Sequence, residues 1–591
     1  MDTRFEIRQI LLKYPDQRKK VTHFLKNNGL KLEEVEYYAG IFRVEDDEIV
    51  GGGGFCGNVL KCIALNPDIR NEQLGTSLVS HLISTAFYKG YTSVKLFTSP
   101  KNQKGFEAMG FKLLASSPDA VLMENGGGIL NWYHELLKNP RQGRVGIIVI
   151  NANPFTFGHL FLVEQAAKQV DTLFVMVVKE DVSEFSFIDR YNMIYDALGK
   201  MPNVTVIDSN GYIISKSTFP TYFLKEETDA TATQIALDLD LFVRHVVPAL
   251  NIEVRFVGSE PSDSLTRRYN EAMKQVLPRF GVEVVEIERL RKSGSPISAS
   301  NVRKALDHAD LLAAIALTPY TTWPYLLSNL ATKALLQELN TTPKPGLVDC
   351  HDSGAHQDMD YEKMHRSIMA LHPSFTTFCL DGFQQCLPSI ELVRMVGQEA
   401  EHNMLYATGG VNTHKGAVFS MGLTLVAAAH FCFEYVYRLG AYGSFLEKEQ
   451  REKIISECIA EMARKLPAPT GTHGAEVQGK YKIGGALANA QSGYVQLFAD
   501  WLPFYRSLHG ELYANHKLLL HIMSSIDDTN VFYRHNAETA AWLKQEAAAI
   551  LQDFSIEKME SLNKTCIERH ISPGGSADML ALTILMKSIC G

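Results

Sequence analysis

The sequence predicts a multidomain protein in three parts: a small α/β domain, a second α/β domain built on a parallel sheet, and an all-α domain. Three observations predict this. The 591 residues exceed the roughly 100–200 residues that one hydrophobic core organises. Apolar residues alternate at first, then form short unbroken runs between helical patterns, and finally recur at helical spacing up to the last residues. Clusters of Gly and Pro at Asn125–Gly128 and Asn139–Gly143, and a change of character after Thr318-Pro319, mark the borders, so domains are expected at 1–139, 140–324 and 325–591.

In the first part, YYAGIFRVEDDEIVGGGGFCGNVLKCIAL predicts two or three strands around turns at Asp46-Asp47 and Gly51 to Gly54. SLVSHLISTAFYKG then has helical spacing, and YTSVKLFTS returns to a strand. The second part opens on a buried strand, Val145 to Ile150, followed by a loop and a helix starting near His159. The apolar runs TLFVMVV, NVTVID, EVRFVG and VEVVEI follow, separated by helical or irregular segments, which is the pattern of a parallel sheet with crossovers. The third part repeats 3.6-period patterns in YLLSNLATKALLQEL, ELVRMVGQEAEHNML, AVFSMGLTLVAAAHF, EKIISECIAEMARKL, AAWLKQEAAAIL and SADMLALTILMKSI.

Composition excludes several classes. With 46% hydrophobic and 21% charged residues the chain is neither disordered nor collagenous. A net charge of −8 without a basic stripe argues against a nucleic-acid partner. The start, MDTRFEIRQILLKYPD, lacks an apolar signal region, so a cytoplasmic location is expected. The nine cysteines are scattered without a CxxC pair and read as reduced, mostly buried thiols. The apolar stretch Met421 to Phe433, broken by Thr424 and His430, falls short of the roughly 18 residues of a membrane span and predicts a buried helix, with no membrane partner.

The sharpest local signal is NANPFTFGH, residues 151–159, between a buried strand and a helix. There backbone N–H groups and the helix dipole favour an anion; Gly158 allows a phosphate close to the backbone, and His159 is able to donate to it as charge develops. Ile297-Ser298-Ala299-Ser300-Asn301-Val302-Arg303 opens another helix late in the same part, with two hydroxyls and an arginine suited to the outer phosphates. Together these resemble the nucleotidyltransferase superfamily, with Thr156 in place of the commoner first histidine of its HxGH motif. The resemblance implies a Rossmann-like fold, adenylyl transfer, and ATP contacts from Asn153, Thr156, Gly158, His159, Ser298, Ser300 and Arg303, with His159 catalytic.

Through NANPFTFGH, EDVSEFSFIDR, YIISKSTFPTYF, VGSEPSDSLTRRYN and SPISASNVR, residues from about 1 to 320 resemble the citrate (pro-3S)-lyase ligase family. That resemblance implies acetylation of the prosthetic-group thiol on the acyl carrier (γ) subunit of citrate lyase, through acetyl-adenylate, with AMP and pyrophosphate released. It also implies an acetyltransferase-like (GNAT) first domain and a carboxylate pocket near Tyr212 to Tyr222. In Arg70-Asn71-Glu72-Gln73-Leu74-Gly75 the acetyltransferase fingerprint has Gln73 where its first Gly belongs. Arg70 and Gly75 are therefore expected to bind a carrier or coenzyme-A-like arm, with independent acetyl transfer not expected. Two alternatives stay open for this half: a pantetheine-phosphate-adenylyltransferase-like enzyme, and a non-catalytic carrier-protein scaffold.

The all-α part carries TPKPGLVD, SGAHQDM, TGGVNTHKG, DTN and SPGGSAD in its connectors, and two of them run straight into apolar helices. Gly-rich helix starts with Lys415 and His414 suit an anion, and Asp349, Asp358, Asp528 and Asp578 offer hard oxygen ligands. These segments resemble the triphosphoribosyl-dephospho-coenzyme A synthase family over about residues 325–591. The resemblance implies transfer of a 5-triphosphoribosyl group from ATP to 3′-dephospho-coenzyme A with loss of adenine, by cutting the glycosidic bond. ATP contacts are expected from Gly409, Gly410, His414, Lys415, Gly574, Gly575 and Ser576. Asp349 and Asp358 are expected as metal ligands or bases, Mg²⁺ being the expected ion, and Asp578 in either role. A separate holo-transferase is expected to mount the finished group on the carrier.

Overall fold

The structure is a computed structural model that describes residues 4–69, 72–180, 183–215, 218–225, 229–260, 263–292, 294–440, 446–467, 473–481 and 483–591. The chain forms two compact units, Met1–Asn153 with Gly158–Ile297, and Pro154–Phe157 with Ser298–Gly591.

Among its described residues the first unit holds two large sheets and a short two-stranded one, Arg291–Lys292 against Ser295–Pro296. The first contains β1 (Phe5–Gln9), β2 (Tyr37–Arg43), β3 (Ile49–Cys56), β4 (Val59–Leu65), β5 (Val94–Thr98), β6 (Lys112–Ser116) and β7 (Val121–Asn125), in the order β1-β2-β3-β4-β5-β7-β6. β4 and β5 are parallel, and their pairing spans only Val59–Leu60 against Lys95–Leu96. The helix Glu72–Tyr88 buries Leu78 and Leu82 against Val50, Leu60 and Leu96 of the sheet. The glycine run Gly51 to Gly54 is not the expected turn but the middle of β3. Its backbone passes so near Ile41, Leu65 and Tyr38 that a Cβ at Gly51 or Gly52 would lie 2.6 Å from Leu65 or Tyr38. Close packing, not conformational freedom, requires these glycines; the turn falls after them, at Gly57 with φ +56°.

The second sheet is wholly parallel, as the unbroken apolar runs predict: β8 (Val145–Ile150), β9 (Thr172–Val177), β10 (Val204–Asp208), β11 (Val254–Gly258) and β12 (Glu283–Ile287), ordered β10-β9-β8-β11-β12. Helices Phe157–Ala167, Phe187–Leu198, Ala230–Leu241 and Ser264–Val276 form the crossovers. One hydrophobic cluster takes Phe97, Ala115 and Leu122 from the first sheet, Trp132 and Leu136 from the connecting helix Gly128–Leu137, and Ile147, Phe174 and Ile207 from the second. The Gly126-Gly127 break is thus a bend in continuous packing, not a solvated linker.

The second unit is helical. Trp323–Asn340, Ile390–Thr408, Lys415–Phe431, Lys448–Arg464, Ala537–Gln552 and Gly574–Cys590 coincide with the six predicted patterns. Tyr361–Gly382 and Ala514–Ser525 join them; the first carries Pro373 and the second has two His residues, which obscured their periodicity. Ser389, Asn536 and Ser555 cap helices through their side chains, each cap contributing about 1 kcal/mol. The Met421 region belongs to a longer helical segment than expected, Lys415–Arg438, with its C-terminal part wound as a π-helix. It is long and apolar enough to cross a membrane, yet 78% of its apolar window is buried inside the protein, so it is a core helix.

Candidate active sites

The C-terminal ends of the parallel strands in the first unit make a polar rim, the position where open α/β sheets bind ligands. Its organiser is Arg190, fully buried in the crossover helix after β9. The guanidinium donates to the carbonyls of Asn151 (2.8 Å), Val178 (2.8 Å), Glu180 (3.1 Å) and Phe185 (3.1 Å), tying the loops after β8 and β9 together. Asn151 donates to Glu180 Oε1 at 2.6 Å, and Asn153 Oδ1 accepts the Phe185 N–H at 3.0 Å. His159 lies in the first turn of the helix Phe157–Ala167. Burial and the positive charge of Arg289 hold it down to about 4, so its imidazole is neutral at pH 7. Arg289 itself is paired with Glu260.

Gly158 precedes His159 in the same helix turn, whereas Thr156, Ser298, Ser300 and Arg303 belong to the second unit. Thr156 is buried there, in the Pro154–Phe157 segment, where the Phe157 N–H donates to Leu317 and Phe155 O accepts from Thr322. Ser298 caps the helix Ala299–Asp307 by accepting the Asn301 N–H at 3.2 Å, and Arg303 donates to the exposed Ser300 at 3.4 Å. Arg70 lies outside the described residues. Gly75 is buried in its helix, where a Cβ would lie 3.2 Å from Leu65.

Tyr212 and Tyr222 are buried ties between the two large sheets of the first unit. Tyr212 stacks on Trp132 (centroids 5.0 Å apart), lies beneath the ammonium of Lys95 (3.6 Å from its ring centre) and hydrogen-bonds Glu124. Lys95 also donates to Gly211 O at 2.8 Å, and Tyr222 donates to Phe97 O at 3.4 Å.

In the second unit, three of the expected connectors converge on one cavity of about 440 Å³, within the usual range for small-molecule sites. Its wall includes Asn412, Lys415 and Gly416 at the start of one long helix, Gly575 and Asp578 at the start of another, and Asp527 to Asn530. Helix starts directed at one cavity favour anionic groups. A fourth wall was not singled out from sequence: Gly484, Gly485, Ala486 and Asn489. These sit in a stretch with no strong periodicity, so the Gly pair was its only signal.

Asp578 is the best-placed carboxylate. A Cβ on Gly416 would overlap its Oδ2, so only glycine lets the group lie against that helix start, where the Ala417 N–H supports it. Burial and the neighbouring carboxylates Glu338 and Asp528 raise Asp578 well above the ordinary carboxylate range. Lys415 reaches the wall from the exposed side and pairs with Glu401 at 2.9 Å.

Other expected residues brace the cavity wall. Asp528 is buried and accepts from the Ser576 N–H (2.8 Å), Ser576 Oγ (2.9 Å) and the Asn530 N–H (3.0 Å), so Ser576 joins two connectors. His414 is buried, with Nδ1 2.8 Å from Ser367 Oγ; burial and the nearby Lys344 charge hold it down to about 3. It does not line the cavity. Gly409 and Gly410, with φ of +70° and +90°, end the helix Ile390–Thr408, and the Gly410 N–H donates to Leu405 O at 2.7 Å. Gly574 packs beside Asn530.

Asp349 lies outside the cavity wall: its oxygens accept from Thr342 Oγ1 (2.8 Å) and from the N–H groups of Lys344 (3.2 Å), His351 (2.8 Å) and Asp352 (3.1 Å). It shapes its own loop. Asp358 is exposed away from the cavity wall. His356 Nε2 lies 2.8 Å from Ser572 Oγ, and Asn563 donates to Asp352 and accepts the Gly346 N–H, joining this loop to the SPGG connector. Lys344 and Glu338 form a fully buried pair beneath it.

Comparison with known proteins divides the chain near residue 325, whereas the long segment of the second compact unit already begins at Ser298. The family described as citrate lyase ligase C-terminal domain matches residues 145–326, the acetyltransferase (GNAT) family residues 4–111, and the ATP:dephospho-CoA triphosphoribosyl transferase family residues 324–590. The citrate (pro-3S)-lyase ligase of Klebsiella pneumoniae is 42% identical over 324 residues, 54% of this chain and 94% of that protein. The ligase of Escherichia coli K12 is 39% identical over 52% of this chain and 89% of its own length. A probable 2-(5″-triphosphoribosyl)-3′-dephosphocoenzyme-A synthase of Streptococcus mutans is 35% identical over 44% of this chain and 94% of its own length. The chain therefore belongs to the citrate lyase ligase family over its first part and to the triphosphoribosyl-dephosphocoenzyme-A synthase family over its last, a fusion of the two.

Proposed function

We propose that the helical unit makes 2′-(5″-triphosphoribosyl)-3′-dephospho-coenzyme A from ATP and 3′-dephospho-coenzyme A, and that the ligase part acetylates the thiol of the finished prosthetic group. The second activity takes acetate and ATP, passes through acetyl-adenylate, and releases AMP and pyrophosphate; its carrier is the acyl carrier subunit of citrate lyase, loaded by a separate transferase. Both reactions belong to a cytoplasmic pool of ATP and coenzyme A precursors. The observation that carries the synthase reading is the cavity where Lys415, Asp528 and Asp578 meet two long helix starts.

The triphosphate lies against the helix starts and Lys415, which neutralise it without a large basic surface. A ribose hydroxyl of dephospho-coenzyme A attacks C1′ of ATP, and the C1′–N9 bond breaks. Asp578, whose carboxyl is pushed well above the ordinary carboxylate range by burial and its carboxylate neighbours, passes a proton to the departing adenine; the proton lost by the hydroxyl restores Asp578 through water. Positive charge on the sugar ring in the transition state is met by Asp528. Mg²⁺ would accompany ATP and offset the charge of its triphosphate.

In the ligase, acetate attacks the α-phosphate of ATP and pyrophosphate leaves, with neutral His159, Ser298, Ser300 and Arg303 assigned to the phosphates. The carrier thiol then attacks acetyl-adenylate and AMP leaves. The two activities have different products, which makes the test direct. ATP with dephospho-coenzyme A should release adenine and no AMP; ATP with acetate and the thiol form of the carrier should release AMP and no adenine. Adenine absent from the first mixture, or AMP formation independent of acetate in the second, overturns the corresponding half.

A further inference from the structure

The helix Lys415–Phe431 borders a second space beside the synthase cavity. A stripe of it, Val418, Phe419 and Leu423, faces Gly397, Gln398 and Glu401 of the helix Ile390–Thr408 across a groove of about 250 Å³. At helical spacing Lys415 belongs to the same stripe, one turn nearer the helix start, and it also lines the synthase cavity. Its ammonium pairs with Glu401 at 2.9 Å, so cavity and groove adjoin at this ion pair. From Lys415 to Leu423 the wall runs for about 12 Å at the helical rise per residue. Gly397 shows that the space is kept open. It sits inside a helix, where glycine is less favourable than alanine, yet a Cβ there would meet nothing within 4 Å. Gly422, on the opposite wall, is different: a Cβ would lie 2.8 Å from the ring of buried Phe378, so packing requires that glycine. Among the described residues no neighbour requires Gly397.

We propose that this groove is the subsite for the pantetheine arm of 3′-dephospho-coenzyme A. The inference rests on the synthase reading of the cavity, and it follows from the order of chemical groups in the two substrates. In dephospho-coenzyme A the attacking ribose is joined to a diphosphate, and the diphosphate to an arm of methyl and methylene groups with two amides. The protein repeats that order: Asp578 in the cavity, the Lys415 ammonium at the junction, then Val418, Phe419 and Leu423 with the exposed Gln398 amide at the edge. In ATP the adenine is joined directly to ribose with no anion between, and the triphosphate carries nothing apolar beyond it. Neither end of ATP therefore suits the space past Lys415. The diphosphate takes the Lys415 ammonium from Glu401, and the arm covers the apolar wall while its amides meet Gln398.

The first test uses the full chain without substitution and follows adenine release. 4′-Phosphopantetheine, which is the arm with one phosphate and no nucleoside, should inhibit competitively against dephospho-coenzyme A and not against ATP. The second test is Gly397→Leu, which puts a side chain into the groove and a better helix former into the helix. It should raise KM for dephospho-coenzyme A about 10-fold or more, with KM for ATP within about twofold. Inhibition by 4′-phosphopantetheine should be lost in the variant, and the melting temperature should stay level or rise, which separates the result from a folding defect. Inhibition that is absent in the parent, or competitive with ATP, overturns the proposal, and this arm of the experiment needs no variant to fold. A folded Gly397→Leu enzyme with an unchanged KM for dephospho-coenzyme A overturns it as well. A raised KM for ATP alone would give the groove to the adenine of ATP instead. A parent that releases no adenine overturns the synthase reading itself.

Discussion

His414 shows how a residue type alone misleads. Beside Lys415 in a Gly-rich connector it suggests a phosphate contact, yet it is buried and neutral, tied to Ser367. Its consequence is a pH dependence of stability. A histidine held down to about 3 in the folded chain takes up a proton more readily when unfolded, so its contribution is complete above about pH 6.5. That contribution is lost as pH falls from there toward 3, amounting to about 2 kcal/mol by pH 5. The raised carboxyls Glu338, Asp528 and Asp578 act in the opposite sense, so the measurement that isolates His414 is a difference. Thermal melts of wild type and His414→Gln at pH 7 and pH 5 should show a smaller acid-induced drop in the variant; equal drops would mean that the imidazole is protonated in the folded state.

At the scale of the element, the helix Lys415–Phe431 both fills the core and supplies the site. Its body is buried nearly all round, whereas its first turn is lined up on the cavity. The junction is Gly416, where the Asp578 carboxylate occupies the space of a side chain. Gly416→Ala should therefore displace Asp578 and lower synthase turnover about 100-fold or more, the usual scale for losing one positioned acid. Helicity should hold, since alanine is the better helix former. Circular dichroism together with adenine release reads both, and normal turnover would show that Asp578 has another resting place. The same geometry explains the glycines of β3. Each Gly-rich run looked like a turn or phosphate loop in sequence, and in β3 the reason is a neighbouring side chain.

For the whole molecule, two families in one chain predict two separable losses. His159→Ala should reduce acetate-dependent AMP formation about 100-fold or more and leave adenine release intact, whereas Asp578→Asn should do the reverse. Assaying both products for each variant checks this, and a variant that loses both with its fold preserved would show that the chemistries are coupled. Much of this architecture was legible beforehand. Five apolar runs became the five parallel strands, and six helical patterns became helices of the second unit, because burial imposes a periodicity that a single strand or helix cannot hide. The hairpin β6–β7, the Pro-bearing helix Tyr361–Gly382 and the wall at Gly484 to Asn489 carried no comparable pattern. The connectors TGGVNTHKG, DTN and SPGGSAD carried the resemblance to the synthase family and pointed to an anion site, since phosphate binding needs glycine backbone and helix starts whatever surrounds them. The sequence by itself determined the order of the parts and the two families. Only the tertiary structure decided which polar residues line the cavity: Asp349, His414 and Ser576 are buried outside its wall, whereas Asp578 is part of it. Local sequence specifies what a side chain can do, but its solvent, charges and hydrogen-bond partners come from segments as distant along the chain as Gly346 and Asn563.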